Sequence, residues 1–167
     1  LLEAGIGTAT LQALYRPVAE HNTQDINQIL SATNKYYKKV GTWYFIAVMT
    51  LALVFPNIID SELSSFTIFS VVLLSGMSQV INFFFQGKYR ILMQVEGKNY
   101  ILTNLGTIIN IFTSTGKIVL ILHGFGIVAL QIMYFAFNIM QMIYITNYIK
   151  NHYKWIDLSV TPNYGAI

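Results

Sequence analysis

Residues 103–122 read TNLGTIINIFTSTGKIVLIL, and the fold class turns on how they are read. At about 1.5 Å of rise per residue, a helix of this length covers the roughly 30 Å hydrocarbon core of a bilayer. The polar and apolar residues do not alternate with period two, as they would in a membrane β-strand, so a helix is expected. Five polar residues interrupt it: Thr103, Thr107, Asn110, Ser114 and Lys117. Their steps of four, three, four and three place all five on one side of a helix.

The rest of the chain has the same character. Of its 167 residues 54% are hydrophobic and 10% charged, against roughly 25% charged in an ordinary soluble domain, so too little ionic surface exists to coat a water-soluble globule. An all-α polytopic membrane protein is the predicted class. The net charge of +3 does not point to nucleic acid, because the basic residues form short clusters between apolar runs and no continuous stripe. There is no cysteine, and His21, His123 and His152 are scattered, so neither a metal site nor a cofactor is expected. No phosphate-binding glycine loop or Ser-His-Asp set is found, and an enzyme is not expected.

Transmembrane spans are predicted near residues 1–15, 42–59, 64–85, 100–122 and 125–149, five in a single transmembrane domain. The opening LLEAGIGTATLQALYR looks like the second half of a helix, so the chain is expected to be a piece of a longer protein. Residues 18–41 place Ile26, Ile29, Leu30, Thr33, Tyr36, Tyr37 and Val40 at helical spacing, an amphipathic helix that either lies along the inner membrane surface or caps the bundle. Arg16, Lys35, Lys38, Lys39, Lys88, Arg90, Lys98, Lys150 and Lys154 all fall on one side of this topology. The intervening stretches PNIIDSE and HGFG carry no lysine or arginine. By the positive-inside rule the basic side is cytoplasmic, and Trp43, Tyr44, Tyr100, Tyr144, Tyr148 and Trp155 supply aromatic anchors there.

Two more spans repeat the polar periodicity: Ser75, Ser78, Gln79, Asn82 and Gln86 in one, Gln131, Tyr134, Asn138 and Gln141 in the other. One reading is that such residues glue helices together at about 0.6–2 kcal/mol per cross-helix bond. The other is that seams running most of the membrane's depth on three helices line a hydrated cavity for a hydrophilic solute. Lys117 either snorkels toward the nearer membrane surface or extends the seam into that cavity. Glu3, expected near mid-depth, must be paired, hydrated or protonated there, and the small residues Gly5, Gly7, Ala9 and Ala13 around it allow close helix approach. The candidate cavity residues are therefore Glu3, Gln79, Asn82, Thr107, Asn110, Ser114, Lys117, Gln131, Asn138 and Gln141.

An acidic residue before a glycine-rich helix end, then ALYRP (13–17), a polar helix, and SATNKYYKKVG (31–41) make up a pattern that resembles the oligosaccharide flippases of Gram-positive bacteria. These form the polysaccharide-export branch of the superfamily that also holds multidrug antiporters and the lipid II flippase. The tail PNYGAI (162–167) looks like the linker that in such proteins leads to further helices. The resemblance implies the end of helix two through helix six of a pseudo-symmetric, V-shaped bundle in the bacterial plasma membrane. It also implies an undecaprenyl-linked oligosaccharide as the transported partner, crossing by alternating access between this half and the remaining helices. It assigns no individual residue; the cavity residues come from the seams. A multidrug or cation antiporter of the same superfamily, which would favour a more acidic pocket, and a truncated, inactive membrane fragment are the competing expectations.

Overall fold

A computed structural model describes the backbone of residues 2–166 and the side chains of residues 5–165, and the described chain is helical without strands. Helix α1 spans Leu2–Ala19, α2 Thr23–Ile58, α3 Ser65–Ile81, α4 Gly87–Val95, α5 Asn99–Leu122 and α6 Ile127–His152. A π-helical turn, Asn82–Gln86, joins α3 to α4 without a break. Among the described residues, four helical stretches are long and apolar enough to cross a membrane: Thr23–Ile58, Ser65–Val95, Asn99–Leu122 and Ile127–His152. This is the make-up of a multi-pass membrane protein.

Five spans were expected and four meet that description. The exception is the first: α1 is an 18-residue helix, but threonines, glutamine and Arg16 dilute its apolar content. The predicted surface helix at 18–41 and span at 42–59 are one continuous helix, α2, of 36 residues. At about 1.5 Å per residue it is nearly twice as long as a bilayer core is thick. It starts where the Asn22 side chain accepts from the Asp25 backbone N–H at 3.2 Å, with Asp25 favourably placed in the first turn. No proline interrupts it before Pro56. Gly41 does not break it because the glycine is a packing site: a Cβ there would lie 2.8 Å from the Phe84 ring.

The third span also runs on. The sequence GKYR (87–90) was expected to open a basic loop, yet α3, the π turn and α4 form 31 helical residues. The charge that argued for a loop is accommodated instead by burial against polar partners: Lys88 Nζ donates to Asn34 Oδ1 at 2.8 Å and to the Phe84 carbonyl at 3.2 Å.

In the packing order, α5 lies on α6, α6 on α3, α3 on α2, and α2 on α1, with α4 against α1 and α2. The tight core sits at one end, where Leu14, Leu30, Leu92, Met93 and Ile145 are fully buried and Ile26, Ile29, Tyr37 and Tyr153 join them. Toward the other end the helices turn Leu51, Leu53, Ile108, Ile111, Phe112 and Ile118 outward, as a lipid-facing surface requires. After α6 the chain crosses the first half of α2 as a strap. Asn27 donates to the Trp155 carbonyl at 3.0 Å and accepts from the Asp157 N–H at 3.1 Å, while Ser31 Oγ reaches the Leu158 and Val160 carbonyls at 3.1 and 2.9 Å.

Candidate functional site

The seams of α3 and α6 meet. Ser78 and Gln79 of α3, then Asn82 and Gln86 of the π turn, face Tyr134, Asn138 and Gln141 of α6 across a recess of about 170 Å³. Arg90 of α4 completes the lining. Its Nε donates to Gln86 Oε1 at 3.2 Å, and Asn138 Nδ2 is held by the Tyr134 carbonyl of its own helix at 2.8 Å. Amide, hydroxyl and guanidinium groups thus converge between helical stretches that are long and apolar enough to cross a membrane, and they supply the recess with both donors and acceptors.

A second recess of about 320 Å³ lies behind the π turn. Gly7, Thr8 and Leu11 of α1 form one wall, Tyr37 of α2 another, and Asn82, Arg90 and Gln94 the third. Asn82 and Arg90 therefore border both recesses. Close approach is built in here, since a Cβ on Gly87 would lie 3.0 Å from the Tyr37 ring.

The α5 seam is placed differently. Thr103, Thr107, Asn110 and Ser114 are exposed, and Thr107 Oγ1 bonds its own helix at the Thr103 carbonyl, 3.0 Å away. A less exposed strip of α5 holds Leu102, Ile109, Thr113, Gly116 and Leu120, and it meets α6 at Gly116, where a Cβ would lie 2.6 Å from Met133 Sδ. At about 100° per residue the seam lies beside that strip. Lys117 stands between the two: it is half-buried, with Nζ 5.3 Å from the centroid of the Tyr134 ring, a cation–π approach to a residue that lines the α3/α6 recess. The opposite flank of the strip borders an apolar groove of about 440 Å³ between Ile109 and Phe112 on α5 and Phe137 and Met140 on α6.

Of the residues picked out by periodicity, Gln79, Asn82, Asn138 and Gln141 are brought together, and Lys117 approaches them through Tyr134. Thr107, Asn110 and Ser114 are not, and Gln131, one turn before Tyr134, is half-buried outside the lining. The side chain of Glu3 lies outside the described residues. Arg90 was not picked out, having been assigned to a basic loop. The signal was present, because Gln79, Asn82, Gln86 and Arg90 follow one another at three, four and four.

At the tightly packed end, a polar cluster fastens the α4–α5 turn to the end of α6. Lys98 Nζ donates to Glu96 Oε2 at 2.8 Å and to the Tyr153 hydroxyl oxygen at 3.0 Å, and Tyr153 in turn donates to Glu96. Hydrogen bonding to Glu96, then to Tyr153, holds the Lys98 ammonium above the usual lysine value. Burial first, and then the bond to Glu96, pushes the Tyr153 phenol up to about 12. No family model, curated protein or solved structure matches this chain.

Proposed function

We propose that this chain is part of a transporter that flips lipid-linked oligosaccharide repeat units across the bacterial plasma membrane for surface polysaccharide assembly, with its basic end on the cytoplasmic side. The observation that carries the reading is the amide-lined recess between α3 and α6, which lies between two helical stretches long and apolar enough to cross a membrane. Sugar hydroxyls both donate and accept, and Gln79, Asn138 and Gln141 present the matching groups. The exposed seam of Thr107, Asn110 and Ser114 adds a second hydrophilic face on the same flank as Lys117, where the remaining helices of the transporter would complete a central path. The lipid tail stays in the bilayer while the sugar crosses.

The test uses the full-length protein in a polysaccharide-producing host. Replacing Asn138 and Gln141 with leucine removes two hydrogen-bonding sites of about 1 kcal/mol each, so export should fall by roughly tenfold or more, with lipid-linked repeat units accumulating and membrane insertion preserved. Unchanged surface polysaccharide would reject the assignment.

A further inference from the structure

The two hydrophilic recesses share a wall, and that wall is the one irregular turn in an otherwise α-helical stretch. Asn82 opens the π turn, whose closing bond runs from the Gly87 N–H to the Asn82 carbonyl. Its side-chain oxygen Oδ1 is buried and has no hydrogen-bond partner, although the residue borders the recess toward α6 on one side and the recess toward α1 on the other.

Both features disfavour the arrangement seen. An acceptor removed from water without a donor carries an unrecovered desolvation cost, and a π turn is a strained insertion in an α-helix that often marks a functional site. Relaxing the turn toward α geometry would swing Asn82 about the helix axis and bring Oδ1 to one of the recesses. There a hydroxyl, of water or of a solute, supplies the missing donor. Arg90, cationic and bordering both recesses, makes a hydroxyl a better guest than an ammonium.

We propose that the Asn82–Gln86 turn is a gate between the two recesses, shut in this structure, with the Asn82 side-chain Oδ1 as the acceptor that a hydroxyl engages when the gate opens. What passes through it rests on the transport reading; the gate itself does not. The uneven satisfaction of Asn82 is the element that makes it bistable, since the shut state leaves an acceptor unmet and the open state meets it.

The test needs no solute. The 167 residues contain no cysteine, so single cysteines can be placed at Thr8 in one recess and Ser78 in the other, in the full-length protein with any cysteines elsewhere changed to serine. A charged methanethiosulfonate reagent is then applied from one membrane face at a time. With Asn82 present, a reagent added from one face should reach both cysteines. With Asn82→Leu, which fills the same space without an unmet acceptor, labelling of one of the two should slow by about tenfold, while the melting temperature is held or raised. Asn82→Met serves if the leucine variant does not insert. Equal rates in the two backgrounds, no labelling at either cysteine, or a lowered melting temperature with unchanged labelling would each overturn the gate. Lost export with unchanged labelling would count against the gate and leave the transport reading standing. A labelling change in a protein that exports normally would do the reverse.

Discussion

Lys88 Nζ lies 2.8 Å from Asn34 Oδ1, and both residues are buried. The bond ties α4 to α2 and holds an ammonium whose other contacts are the Phe84 carbonyl and the face of the Tyr89 ring, 4.8 Å away. A buried charge held by neutral acceptors depends strongly on each of them, because a hydrogen bond to a charged group contributes about 1.5–3 kcal/mol. Asn34→Leu is therefore expected to destabilise the protein by about 2–3 kcal/mol. The double variant Asn34→Leu, Lys88→Met removes charge and acceptor together and should be close to neutral, because paired removal of buried polar groups costs little when shape is kept. Thermal unfolding in detergent, read as a double-mutant cycle, decides: a double variant as unstable as Asn34→Leu alone would mean that Lys88 is not sustained by Asn34.

The cluster of Lys98, Glu96 and Tyr153 gives the packed end a response to alkali. Both Lys98 and Tyr153 have folded-state values above their ordinary ones of 10.5 and 10.0. A raised folded value means that the folded state binds the proton more tightly, so the stabilisation is complete below about pH 10 and is lost as pH climbs through the folded values. Trp155, whose ring stacks edge-on at 6.0 Å from that of Tyr153, reports the change. In a Trp43→Phe background, its fluorescence should shift between about pH 10 and 12, and Tyr153→Phe should flatten that transition. A transition of the same size in the phenylalanine variant would place its origin elsewhere.

Periodicity in the sequence was enough to read the helices and their polar seams, because a step of three or four fixes a face whatever the helix packs against. It could not say which face meets which neighbour. Gln79, Asn82, Asn138 and Gln141 converge because α3 packs directly on α6, whereas Asn110 and Ser114 have the same spacing and stay exposed. Charge misled in a second way. Lys88 and Arg90 read as a loop because charges are costly in apolar surroundings, and the acceptors that offset the cost for Lys88 come from a residue 54 positions away and from the π turn. Long-range partners of that kind leave no local trace. Neither does the extra residue of a π turn, which looks in sequence like an ordinary continuation of the seam.

Gly76 sets how closely α3 approaches α2, one turn before Gln79 enters the recess. A Cβ on Gly76 would lie 2.5 and 2.6 Å from the two γ-methyls of Val48 and 3.1 Å from its Cβ. Val48 is buried and β-branched, so it has little rotameric freedom with which to retreat, and the backbones must part instead. Gly76→Ala is expected to cost about 1–3 kcal/mol even though alanine is the better helix former, and Val48→Ala in the same chain should recover part of the loss by returning the space. Gly106 provides the control. It lies inside α5 with nothing within 4 Å of its would-be Cβ, so Gly106→Ala should stabilise by about 0.5–1 kcal/mol through helix propensity alone. Melting temperatures of the four proteins in one detergent separate close packing from propensity: if Gly76→Ala and Gly106→Ala shift in the same direction, the contact between Gly76 and Val48 does not determine the spacing of α2 and α3.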